Sequence, residues 1–132
     1  QTPTLLSPES LTQASKTPTL DWQDLTDPSG ITYVLQLSKD ASFTLVLLEK
    51  DGLTVSEYKL TVQEELLSVT KDKPYYWRVK AIDGAYNESK WSAPFTFYIG
   101  NVKPTWMYAV GVAALCVFVG LVAYGIEWFK RR

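Results

Sequence analysis

The chain has no histidine, and its one cysteine, Cys116, lies inside a long apolar run. Without histidine it lacks the commonest general base and the commonest zinc ligand. Without a second cysteine the first hundred residues have no disulfide to lean on and must be held by their core. The sequence has no Gly-rich phosphate loop and no nucleophile elbow, and nothing in it suggests a cleft for a carboxylate pair. No catalytic residue, metal ligand or cofactor is therefore expected. A basic surplus is missing too. Positions 1–104 hold 10 Lys and Arg against 13 Asp and Glu, a net of −3. That balance leaves no electrostatic footprint for nucleic acid or for binding an anionic membrane face.

What the chain does have is a run of 22 residues, Thr105 to Ile126, without a charge. A helix rises 1.5 Å per residue and crosses the ~30 Å hydrocarbon layer in about 20 residues. Residues 105–129 are therefore predicted to form one transmembrane helix. Trp106 and Tyr108 at one end, and Trp128 with Phe129 at the other, are expected at the headgroup boundary. Lys130, Arg131 and Arg132 close the chain as a basic tail over 130–132, against Lys103 alone on the other side. This bias places the C-terminus in the cytoplasm and the N-terminal domain outside the cell membrane. Gln1 in place of methionine fits a removed signal peptide. A tail-anchored protein with its domain in the cytosol is the competing topology. Within the run, Ala109, Ala113, Cys116, Gly120 and Ala123 recur at spacings of 4, 3, 4 and 3 and share one stripe. Small residues let helix backbones approach closely in lipid, so the stripe predicts self-association or docking onto another membrane protein subunit. The alternative is an unpartnered helix, in which small residues are also common.

The N-terminal three quarters reads as strands. Residues 1–15 carry Pro3 and Pro8 and suit an edge strand or an extended lead-in. Thr17–Leu25 alternates, with Leu20 and Trp22 on one side, and Asp27-Pro28-Ser29-Gly30 follows as a tight turn. Ile31, Tyr33, Leu35 and Leu37 form one face of the next strand. Phe43–Leu48 is a denser apolar strand closed by Asp51-Gly52, and Tyr58, Leu60 and Val62 make another period-two set. Residues 63–68 read as a loop. Pro74–Asp83 is the clearest strand, with Tyr75, Trp77, Val79 and Ala81 facing one way and Tyr76, Arg78 and Lys80 the other. Trp91–Ile99 is the last, with Phe95 and Phe97 inward, and residues 100–104 form a short linker. Seven strands with turn signals at intervals of about 8–12 residues predict an all-β sandwich over 1–99, followed by the C-terminal transmembrane helix.

The stretches TPTLDW, SGITYVLQLS, YYWRVKAID and NESKWSAPFTF together resemble a fibronectin type III or related immunoglobulin-like module of prokaryotic cell-surface proteins. The resemblance implies that Trp22 is the buried second-strand tryptophan and that Tyr75 is a corner tyrosine whose hydroxyl satisfies backbone. The family places a leucine six residues before that tyrosine, where this chain has Val69. Such modules act as spacers and interaction surfaces.

Trp91-Ser92-Ala93-Pro94 resembles half of the WSxWS element of cytokine receptors, in which tryptophans stack on guanidinium groups. Trp91 is thus expected over Arg78, and Tyr76, Arg78 and Trp91 are the candidate surface contacts. The second Trp-Ser and the paired cysteines of those receptors are absent. Asn87-Glu88-Ser89 fits a glycosylation acceptor in a turn, and Asp24 with Asp27, or Asp83 with Asn87 and Glu88, are oxygen-rich groups better explained by turn chemistry than by calcium. The sequence thus predicts a non-catalytic, single-pass membrane protein that displays its sandwich to an extracellular protein or glycan. The alternative is an accessory subunit docked through its helix onto a larger membrane complex.

Overall fold

The computed structural model describes residues 1–100. They form eight strands: β1 Leu5–Ser7, β2 Thr12–Gln13, β3 Thr19–Trp22, β4 Ile31–Ser38, β5 Val46–Leu53, β6 Glu57–Lys59, β7 Tyr75–Asp83 and β8 Phe95–Tyr98. Two sheets result, one of three strands in the order β1-β3-β6 and one of five in the order β2-β8-β7-β4-β5. The architecture is an all-β, immunoglobulin-like sandwich, as the alternation predicts.

The strand count is eight in place of seven because the lead-in divides. β1 pairs antiparallel with β3, the chain passes Pro8, and β2 then pairs parallel with β8 in the other sheet. A proline has no amide proton for a ladder, so the crossing falls where no bond is lost. The turn at Asp27–Gly30 is as expected: the Gly30 amide donates to the Asp27 carbonyl at 2.9 Å. Gly30 has φ +92°, a conformation that favours glycine.

Three boundaries differ from the sequence reading. The strand placed at 43–48 begins only at Val46 and continues through Asp51-Gly52 to Leu53. Residues 40–45 instead wind around the Asp40 carboxylate. Gly52, at φ +64°, accommodates an irregularity in the β4–β5 register between the pairs Leu35↔Lys50 and Tyr33↔Leu53. Val62 is 78% exposed, because the period-two pattern stops at Leu60. Residues Val62–Glu64 make one 3₁₀ turn that leads into the stretch read as loop, and Glu64 reaches back to accept from the Thr61 amide at 2.9 Å. Finally, β8 starts at Phe95, and residues 91–94 run ahead of it, tied by the Ser92 amide to the Val79 carbonyl at 2.8 Å.

Trp22, Trp77, Tyr33, Phe97, Leu20, Leu35, Leu37 and Val79 fill the space between the sheets. Trp22 packs edge-on against Tyr33 at 5.5 Å and tilted against Trp77 at 6.4 Å. The Leu25 amide donates to the Tyr33 hydroxyl at 2.8 Å, whereas the indole N–H groups of Trp22 and Trp77 find no acceptor among the described residues. With no disulfide, the fold rests on this aromatic packing.

Among the described residues no helix is long and apolar enough to cross a membrane. The predicted helix over 105–129, its stripe (Ala109, Ala113, Cys116, Gly120, Ala123), its interface residues (Trp106, Tyr108, Trp128) and the basic tail (Lys130, Arg131, Arg132) all lie outside the described residues.

Candidate functional site

The outer face of the five-stranded sheet carries the residues singled out as surface contacts. Arg78 projects from β7 and its guanidinium lies 4.2 Å from the Trp91 ring centre, the cation–π stack that the sequence predicts. Its other neighbour was not legible: Phe43 approaches the same group at 4.0 Å, so Arg78 sits between two rings. Gln36 on β4 accepts from Arg78 Nε and Nη2 at 2.9 and 2.7 Å, and its amide donates to Glu49 on β5 at 2.7 Å. Burial lowers the Arg78 pKa and Glu49 opposes the shift. Lys80 lies 4.8 Å from the Trp91 ring and pairs with Glu88 at 2.6 Å. Tyr76, two residues along the same face, instead lines a groove at the start of β7.

Phe43 reaches Arg78 because of Asp40. That carboxylate accepts from the hydroxyls of Ser38, Ser42 and Thr44 and from the amides of Thr44 and Leu45. These bonds, the Thr44 hydroxyl first, hold its pKa well below the usual carboxylate range. The loop wrapped around Asp40 fixes Phe43 at φ +56°, where a bulky side chain is rarely found.

The corner tyrosine is as the resemblance implies. Tyr75 Oη donates to the Leu67 carbonyl at 2.7 Å. Two open grooves adjoin it. One, of about 320 Å³, is lined by Leu37, Leu47, Leu48, Leu60, Leu66 and Leu67; the other, of about 580 Å³, includes Leu45, Val69, Pro74 and Tyr76. Leu45, Leu47 and Leu67 are 59, 49 and 78% exposed, and β5, which carries Leu47, is an open edge of its sheet. This apolar flank is the main feature that the alternation pattern concealed. Across it, Lys50 Nζ meets Glu64 at 2.9 Å and Tyr58 donates to the same carboxylate at 2.7 Å, tying the β5 edge to the 3₁₀ turn.

The acidic turns keep their carboxylates for themselves. Asp27 binds the Ser29 hydroxyl and amide, and Asp83 accepts from Asn87 and the Ala85 amide. Both pKa values are lowered, the first chiefly by the Ser29 hydroxyl and the second by the Asn87 backbone. Among the described residues no three His, Cys, Asp or Glu side chains are grouped to hold a metal ion. Asn87 is exposed in its turn.

Residues 7–103 match the family described as "Rha78A-like, N-terminal immunoglobulin domain". Among curated proteins no sequence matches. A solved structure described as "Myokine structure" aligns with 75% of this chain and 93% of its own, at 18% identity and a TM-score of 0.51. That likeness is one of fold. The Streptomyces avermitilis alpha-L-rhamnosidase complexed with L-rhamnose aligns at 17% identity and a TM-score of 0.43; the alignment covers 76% of this chain and only 10% of the enzyme.

Proposed function

This chain belongs to the family of Rha78A-like N-terminal immunoglobulin domains, and on that premise we propose that it is a non-catalytic interaction module held at the outer surface of a cell membrane. The observation that carries the reading is the apolar flank. Leu45, Val46, Leu47 and Leu67 are exposed beside the free edge of β5. Solvated monomers scatter exposed apolar residues, whereas a contiguous group beside an unpaired edge marks a contact surface. Aliphatic residues suit a protein partner better than a glycan, which favours open aromatic platforms. The tryptophan on the outer face, Trp91, already stacks on Arg78 with Lys80 beside it. Anchoring is inferred from the uncharged run over 105–126.

A second reading, that of an accessory subunit of a larger membrane complex, is favoured by the stripe of Ala109, Ala113, Cys116, Gly120 and Ala123. One comparison separates the two. The chain is isolated in mild detergent carrying either Leu47→Lys with Leu67→Lys, or Ala113→Leu with Gly120→Leu. Loss of a co-purifying partner only in the first variant supports the interaction module. Loss only in the second supports the subunit, and retention in both refutes the flank and the stripe alike.

A further inference from the structure

We infer that the contact flank takes its partner by strand addition: a short extended segment of another protein, basic on one face and apolar on the other, pairs with the free edge of β5 between Leu47 and Gly52. Strand addition deepens the reading of the chain as an interaction module and rests on it.

The main chain of this edge is open to such a segment. β5 lies last in its sheet, with β4 on one side only. Among the described residues, no backbone group of residues 46–53 has a backbone partner outside β4. In an antiparallel ladder alternate residues turn their N–H and C=O groups outward, so an unpaired edge is a row of free donors and acceptors. The regular part of this edge is short. At one end Leu37 pairs with Leu48 and Ser38 with Val46, so Leu47 is the extra residue of a bulge. At the other end the register breaks between Lys50 and Leu53, around Gly52 at φ +64°. A few residues of extended chain fit between these two irregularities, and a second full sheet does not.

The side chains specify what that segment carries. The bulge turns Leu47 and Leu48 to one groove of about 320 Å³, which Leu37, Leu60 and Leu67 also line. A strand added to β5 sends alternate side chains to that side, where apolar ones fill the groove. Its other side meets Glu49 and Asp51, both exposed and in no ion pair among the described residues. Lys50 between them already pairs with Glu64 at 2.9 Å. Glu65 adds an exposed carboxylate at the groove, against Lys39. Basic side chains opposite Glu49 and Asp51 are therefore matched, and acidic ones are opposed. The same pattern disfavours a second copy of this chain. Antiparallel pairing centred on Lys50 sets Glu49 against Asp51 on both sides, and parallel pairing in register sets each charge against itself.

The test uses the full chain in a neutral detergent, with empty micelles as the blank. The probe is a fluorescent peptide that alternates valine with lysine. Its anisotropy is expected to rise on binding, and hydrogen exchange to slow at the β5 amides that do not face β4, while β1 and β6 keep their rates. N-methylation of alternate residues should remove binding when the methyls face β5 and spare it when they face away. Glu49→Lys with Asp51→Lys is expected to weaken the lysine peptide about ten-fold. The same variant should tighten a peptide with glutamate in place of lysine, which also shows that it is folded. Binding that ignores the methyls or the charge reversal, binding that leaves β5 exchange unchanged, or no binding of either peptide overturns strand addition. If the co-purifying partner is then still lost in the Leu47→Lys, Leu67→Lys chain, the contact flank stands without it. If that partner is retained there, the flank is refuted and strand addition falls with it.

Discussion

At the scale of single residues, two hydrogen-bonding groups hold structure that the aromatic core cannot. Tyr75 Oη donates to the Leu67 carbonyl at 2.7 Å, and without it that carbonyl loses its protein partner. Tyr75→Phe is expected to cost about 1 kcal/mol, read as a lower urea midpoint with an unchanged slope. Asp40 acts on a neighbour. It organises residues 38–45, and Phe43 stacks on Arg78 as a consequence. Asp40→Ala should speed hydrogen exchange at the Thr44 and Leu45 amides and change Trp91 emission through Arg78, while exchange in β7 stays slow. An unchanged exchange rate at Leu45 would show that the loop holds itself by other means.

At the scale of elements, the two sheets are joined at their open side by the Lys50–Glu64–Tyr58 cluster. Burial raises the Glu64 pKa, but the Thr61 amide, Lys50 and the Tyr58 hydroxyl outweigh it and hold the value at about 2. A pKa depressed in the folded state means stability that is complete above the ordinary glutamate range and is lost as pH falls through about 2. Removing the ammonium should raise the Glu64 pKa, so Lys50→Met is expected to flatten the acid limb of stability against pH. The pair is partly solvated, which keeps the effect at neutral pH small. At the other end of the sandwich, two turns are pressed together: a Cβ at Gly84 would lie 1.9 Å from the Ser29 carbonyl oxygen. Gly84→Ala should therefore cost about 1–3 kcal/mol and loosen residues 27–30, measured by thermal unfolding and amide exchange at Gly30.

At the scale of the molecule, the organisation proposed is a disulfide-free sandwich with a contact flank, tethered by the run over 105–126. A protease applied to intact cells is expected to remove the first hundred residues; their protection would place the domain on the inner side. The free edge of β5 is kept from pairing with copies of itself by Glu49, Lys50 and Asp51 in its middle. Replacing all three with threonine should raise self-association in analytical ultracentrifugation, whereas the Leu47→Lys variant should lower it.

The sequence by itself determined the sandwich and its inward faces, because period-two alternation is a local property, and the resemblance to a known module implied the corner tyrosine. Leu20 with Trp22 and Tyr75 with Trp77, Val79 and Ala81 declare their face two residues at a time. Trp91 over Arg78 was legible through a motif resemblance. The tertiary structure alone decided what depends on residues far apart in the chain. Phe43 reads as strand core in isolation, yet Asp40 draws it out of the ladder and onto Arg78. Leu45 and Leu47 read as part of a dense apolar strand, yet they are exposed, because β5 ends its sheet and no further strand covers them. Hydrophobicity says which residues would gain from burial; only the closure of two sheets of unequal width settles which of them obtain it.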